Sequence, residues 1–148
     1  MELLALTALN GLSYGLLLFL LSAGLTLIFS MMGVLNFAHA GFYMLGAYLA
    51  YSLSGSLGFW PALLLAPVLV GLIGAGFELT VLRRVHRHGQ VAELLVTFGL
   101  GLVMVELVQL VWGRVAVDYR VPTELQGQLT LGGLPLPRYR AFMMGVSL

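Results

Sequence analysis

Asn36 and His39 stand three positions apart in the run Gly33-Val34-Leu35-Asn36-Phe37-Ala38-His39-Ala40-Gly41, inside a long apolar stretch. Asn36 offers amide donors and an acceptor, and His39 offers a titratable pair of ring nitrogens. The flanking Gly33 and Gly41 permit backbone angles that break a helix, and we read them as backbone hinges. A broken helix at membrane depth is tolerated where it is buried in protein or lines a cavity, and there its freed backbone groups can hold a ligand. Spacing alone equally allows a polar hairpin at the membrane surface, with His39 hydrated or bonded to a carbonyl.

A second polar constellation lies further on. Glu106 falls about seven residues, or ~10 Å, inside the end of the apolar run 91–112. At ~100° per residue Gly99, Leu102, Glu106, Gln109 and Gly113 share one helical face. A carboxyl at that depth is expected to face the bundle interior, either hydrogen-bonding a neighbouring helix or lining a translocation path. Asn36, His39, Glu106 and Gln109 are therefore the candidate path residues. Glu78, one turn before Arg83, reads as a solvated or locally paired end group.

Other chemistries find no support. The chain has no cysteine, which excludes disulfides, thiolate metal sites and Cys nucleophiles. No second ligand has suitable spacing from His39, so no metal site is expected. No Walker A, HExxH, nucleophile elbow or GxGxxG occurs, so neither catalysis nor a cofactor is expected. The Arg residues form no patch suited to nucleic acid.

The elements that must position these residues are membrane helices. From residue 3 to residue 77 there is no Asp, Glu, Lys or Arg, a run of 75 residues. A soluble domain needs a solvated face and cannot hide such a run, whereas lipid can. A composition 60% hydrophobic and 9% charged, with mean hydropathy +1.01, agrees. We expect an all-α integral membrane protein, a polytopic helix bundle of about four transmembrane helices plus the start of a fifth, forming a single domain over 1–148. Glu2 in place of a basic n-region, and the length of the apolar run after it, argue against a secretory signal.

The first span runs from Leu3 to about Phe29. Gly41 to about Leu57 is the second apolar segment, so short that it either crosses marginally or re-enters. Ser52 to Gly58 reads as a turn. Phe59-Trp60-Pro61 opens the third span, an interfacial aromatic followed by Pro at the first helical position. That span continues to Leu82 with a kink expected at Pro67. The fourth covers about Val91 to Trp112. Gly11-Leu12-Ser13-Tyr14-Gly15, Gly46 with Ala50, and Gly71 to Gly76 are small-residue surfaces that permit close helix approach.

Residues 83–90 carry three Arg in a short connection and are the cytoplasmic loop by the positive-inside rule. Glu93 in the first turn of the fourth span agrees with the helix dipole. Trp60 and Trp112 then share the outer interface. Residues 114–140 form an extracytoplasmic loop, with a small hairpin from Gln128 to Pro137 turning at Gly132-Gly133, its second half limited to an edge by prolines. Residues 141–148 are apolar but too few to span, as expected of a truncated chain whose fifth helix is only begun.

Several of these runs resemble a known family. Asn10-Gly11-Leu12-Ser13-Tyr14-Gly15, Ala23-Gly24-Leu25-Thr26-Leu27-Ile28-Phe29, the Val34 to Gly41 run, Met44-Leu45-Gly46-Ala47-Tyr48 and Leu94 to Leu100 resemble the N-terminal half of LivH-like permeases of branched-chain amino-acid ABC importers. The Asn-Phe-Ala-His run is the most specific of them. The resemblance implies a multi-pass subunit of a bacterial plasma (inner) membrane. It would work with a second permease subunit, cytoplasmic ATP-binding subunits and a periplasmic substrate-binding protein. The family's ATPase-coupling loop lies after the fifth helix, beyond these residues. Urea and short-amide permeases share much of the N-terminal pattern, so the substrate stays open. A self-contained oligomeric channel or scaffold is the competing class, which the Gly-rich faces permit.

Overall fold

The computed structural model describes residues 2–33, 35–115, 117–131 and 134–148. Val34 of the polar run and the expected Gly132-Gly133 turn lie outside the described residues. The elements in order are α1 (Glu2–Met32), α2 (His39–Leu57), α3 (Phe59–Phe77), α4 (Gln90–Trp112), the strands β1 (Gln128–Leu131) and β2 (Leu134–Pro137), and α5 (Arg138–Ser147). Residues 27–119 form one compact unit, and Met1–Thr26 with Arg120–Leu148 group as another. Among the described residues three stretches are long and apolar enough to cross a membrane: Leu6–Met31, Phe59–His88 and Gln90–Trp112. The second apolar segment, 19 residues as α2, is not among them.

Within the 27–119 unit, α2 and α3 form a helical hairpin joined by one residue, Gly58. Its φ of 87° and ψ of 171° lie in a region essentially reserved for glycine, which lets a single residue reverse the chain. The turn expected over Ser52–Gly58 is corrected accordingly, since α2 continues through Leu57. The serines are compatible with helix because they bond back into it: Ser54 Oγ donates to the Tyr51 carbonyl at 2.8 Å and Ser56 Oγ to that of Leu53 at 3.2 Å. Small residues set the α2–α3 seam. A Cβ placed on Gly46 would meet Val70 at 3.5 Å, and one on Gly74 would meet Phe42 at 3.7 Å. Ala62 and Ala66 are buried.

Phe77 is not the end of the third helix's path. Glu78–Leu82 continues as a π-helical turn, Arg83–Val85 as an α turn and His86–His88 as a 3-10 turn. Thr80 Oγ1 donates to the Gly76 carbonyl at 2.6 Å, competing for the acceptor the α ladder would use, and the ladder widens so that the Arg83 N–H reaches the Glu78 carbonyl. The expected 83–90 loop is thus mostly helical, and only Gly89, with φ 91°, turns the chain into α4. Arg and Leu are good helix formers, and no Gly or Pro interrupts the sequence between Phe77 and Gly89.

Both tryptophans and several tyrosines gather at the opposite end. Trp112 Nε1 donates to Ser52 Oγ at 2.7 Å, and its ring lies 5.3 Å from that of Tyr48. Tyr51 meets Tyr119 edge to face at 6.2 Å, and Phe59 and Trp60 pair beside the Gly58 turn. Amphipathic rings at one end and arginines at the other match the two faces of a bilayer.

In the other unit, α1 ties its hydroxyls to its own backbone: Ser13 Oγ donates to the Leu9 carbonyl and Thr26 Oγ1 to that of Ser22, both at 2.8 Å. Gly11 and Gly15 face open space. β1 and β2 pair antiparallel as expected, with Thr130 opposite Pro135 and Gln128 opposite Pro137. The Arg138 N–H closes onto the Gly127 carbonyl at 3.1 Å as α5 begins.

Candidate functional site

The polar run is a break between α1 and α2. Gly33 has φ 67°, where only glycine is unstrained, and its N–H still donates to the Phe29 carbonyl at 2.8 Å. Asn36 then organises the start of α2. Its Oδ1 accepts the Ala38 N–H at 3.0 Å, and its carbonyl accepts the His39 N–H at 3.1 Å. These bonds close a turn just ahead of α2, whose N-cap position is Ala38, so Asn36 satisfies backbone donors that the break would otherwise leave open. Asn36 and His39 are half-buried and Ala38 is fully buried. Gly41, expected as the second hinge, lies inside the first turn of α2 and acts through packing. A Cβ there would meet Met104 Sδ at 2.9 Å and Met104 Cβ at 3.3 Å.

The break rests on α4. Thr97, with no exposed surface, accepts the Phe37 N–H on Oγ1 at 3.3 Å. The same oxygen lies 3.4 Å from the Leu35 carbonyl and 3.2 Å from that of Leu94 in its own helix. One turn on, Gly101 brings the α4 backbone against the Phe37 carbonyl and Ala38. The rings of Phe37 and Phe98 meet edge to face at 6.4 Å.

Depth follows from helix rise. Pairing of Gly46 with Val70 and Phe42 with Gly74 across the hairpin puts His39 level with Phe77. The break therefore lies about 10 Å on the bilayer side of the arginines. Thr97 gives the same answer independently, being about 10 Å along α4 from Gln90. The break is inside the helical layer rather than at the level of the basic turn.

Glu93, Thr97, Met104 and Val108 are the buried residues of α4 and lie along one stripe. Glu93 is 2% exposed, and its Oε1 meets Nδ1 of the exposed His86. Arg83, Arg84 and Arg87 are exposed around that turn. Glu106 lies on the opposite side of α4. It is exposed, with Gln109 half-buried one turn away. The structure thus brings Asn36 and His39 together and leaves Glu106 and Gln109 as a separate group. Among the described residues no three His, Asp or Glu side chains converge as a metal site would need.

Thr97 and the His86–Glu93 contact are the functional candidates that sequence reasoning missed. The recurrence of Glu93, Thr97 and Gly101 every four residues was the available signal, since such spacing keeps one face. Hydropathy gives a lone Thr or Gly in an apolar helix no prominence.

Among the described residues, three stretches able to cross a membrane and a polar break between α1 and α2 mark a multi-pass membrane protein. The chain belongs to the branched-chain amino acid transport system / permease component family, which it matches over residues 7–142. The family is one of transport subunits rather than enzymes. The chain is 27% identical over 135 residues to the high-affinity branched-chain amino acid transport system permease protein LivH of Escherichia coli (strain K12), covering 83% of this chain and 42% of that protein. It is 26% identical over 133 residues to the permease protein BraD of the corresponding Pseudomonas aeruginosa system, covering 83% of this chain and 43% of that protein. The chain therefore spans about two-fifths of the length of the curated relatives it matches. No solved structure matches it.

Proposed function

We propose that this chain forms part of the permease of an ABC importer that carries branched-chain or other hydrophobic amino acids across a bacterial inner membrane. The family match over residues 7–142, which contains the polar break, carries this reading. Separate cytoplasmic subunits hydrolyse ATP, a second permease subunit completes the pathway, and a periplasmic binding protein delivers substrate. The basic turn at Arg83–His88 faces the cytoplasm, and the aromatic end with residues 114–140 faces outward.

In this reading Asn36 and His39 contribute a polar segment of the path near its cytoplasmic end, with Gly33 as the hinge. Glu106 and Gln109 contribute a second segment nearer the outside. A carboxyl about 9 Å inside Trp112 on an uncovered helix face calls for water, substrate or a partner's donor opposite it, because lipid solvates it poorly. Its carboxyl oxygens can accept hydrogen bonds from the ammonium group that every amino acid carries.

The test is uptake of radiolabelled leucine by cells carrying the complete importer. Glu106→Gln and Asn36→Ala are expected to reduce uptake at least several-fold while the complex still assembles by co-purification. Uptake unchanged in both variants overturns the path assignment.

A further inference from the structure

We propose that Thr97 is the positioning residue of the polar break: its hydroxyl fastens Leu35–Ala38 to α4, so that the break travels with α4 and bends at Gly33. The proposal rests on the break's place in the path, and its test separates the two.

The amide accounting points to Thr97. Every backbone N–H withdrawn from water needs an acceptor, and the break cannot supply its own ladder. Asn36 serves the N–H groups of Ala38 and His39 through its side chain and carbonyl. The Phe37 N–H just before them has its acceptor 60 positions along the chain, in Thr97 Oγ1 at 3.3 Å. A buried Thr within a helix commonly bonds back to its own turn, and the Leu94 carbonyl is present for that at 3.2 Å. The Leu35 carbonyl at 3.4 Å competes for the same single proton. The hydroxyl can therefore hold the break by one bond or by two, according to where that proton points.

Packing reinforces the fastening on one side. Thr97, Gly101 and Met104 follow one another along the stripe of α4 that meets Phe37, Ala38 and Gly41. A Cβ on Gly101 would lie 3.6 Å from the Phe37 carbonyl, so the glycine lets the break approach α4 to within the width of one methyl group. On the α1 side, Gly33 makes the last ladder bond, to the Phe29 carbonyl, and its φ of 67° turns the chain out of the helix after it. A rigid attachment on one side and a helix break on the other make the segment part of the α4 body.

The natural absence of cysteine permits a direct test. A single reporter, Phe37→Cys, is built at an exposed position of the break, and Leu57→Cys at the far end of α2 serves as the control. Each is labelled with a small maleimide in membranes holding the complete importer. Thr97→Val keeps the shape and removes the hydroxyl, and Thr97→Ser keeps the hydroxyl. Thr97→Val should change the labelling rate at position 37 by about three- to tenfold, the ratio matching one net hydrogen bond. Thr97→Ser should stay within about twofold of the parent, the scatter allowed for losing a methyl. Position 57 should not respond.

Equal labelling at position 37 in the Val, Ser and parent backgrounds overturns the proposal. So does a parallel change at position 57, which marks general loosening. If Thr97→Val fails to accumulate, Thr97→Ala replaces it under the same criteria. A change confined to position 37 with leucine KM and maximal rate unaffected leaves Thr97 as the positioning residue and instead refutes the path role of the break.

Discussion

The contact between Gly41 and Met104 offers the sharpest test of how α2 seats on α4. Alanine at position 41 would put its methyl carbon 2.9 Å from Met104 Sδ and 3.3 Å from Met104 Cβ. The thioether can swing aside, being flexible. The Cβ cannot move without the α4 backbone, which must retreat by a few tenths of an ångström. Forcing a methyl into a packed interface of this kind costs about 1–3 kcal/mol. Against it stands the ~0.5–1 kcal/mol by which alanine is favoured over glycine within a helix, a gain that shrinks in a bilayer because membrane helices stay formed when they separate. The net expectation is a loss of about 1–2 kcal/mol. Gly101→Ala is the internal control, since its methyl would meet Phe37 O at 3.6 Å and Ala38 Cα at 3.7 Å, ordinary contact distances. It should be neutral within about 0.5 kcal/mol. Denaturant unfolding of the purified complex in mixed micelles measures both. A cycle with Met104→Ala isolates the contact: Gly41→Ala should cost at least ~0.5 kcal/mol less once the thioether is gone. Equal costs for Gly41→Ala and Gly101→Ala, or a cost independent of residue 104, would refute the close-approach argument.

The other perturbations address separate parts of the fold. Glu106→Gln and Asn36→Ala should lower leucine uptake with assembly intact, and Thr97→Val should move the reactivity of a cysteine at position 37 but not at 57, as set out above. Gly58→Ala forces a non-glycine residue to φ 87°, ψ 171° and should cost about 1–3 kcal/mol in unfolding midpoint; an unchanged midpoint would mean the α2–α3 turn relaxes freely. His86→Ala should destabilise by about 1–3 kcal/mol because it strips a partner from a buried carboxyl. Glu93→Gln should cost less than His86→Ala in the same assay, and the reverse order would show that the contact is incidental.

What the sequence revealed and what it hid follow from the solvent. The first and third spans were legible because 75 charge-free residues admit one environment, the fourth because its apolar run is long, and the basic turn and aromatic end because both faces of a bilayer select their residues. Helix ends were harder. Ser52–Gly58 looked like a turn on composition, yet Ser54 and Ser56 bond their own helix and leave the reversal to Gly58 alone. Residues 83–90 looked like a loop on charge, yet Arg is a good helix former and only Gly89 turns. Asn36 was marked as a candidate path residue, and the structure adds that its side chain and carbonyl bond the backbone of the turn ahead of α2.

The faces of α4 show the deeper reason. In water an amphipathic pattern tells which side of a helix is buried, but lipid is as apolar as a protein core, so the pattern vanishes. What remains are exceptions to apolarity, and they point two ways. Small or hydrogen-bonding residues such as Thr97 and Gly101 mark where another backbone comes close, and here that backbone is the break itself. A charge such as Glu106 marks where lipid cannot be, at a cost of about 2.5–3.5 kcal/mol at the centre of a span if it were. Among the described residues of the 27–119 unit, the first kind of exception is answered by the break, whereas Glu106 is exposed. A helix answered on one side and unanswered on the other lies between two contacts. Whatever occupies the Glu106 side therefore shares α4 with the break, and a shift of α4 alters both polar segments together. That shared helix is the physical reason why substitutions at residues 97 and 106, on opposite faces, should be examined in one uptake assay rather than as independent sites.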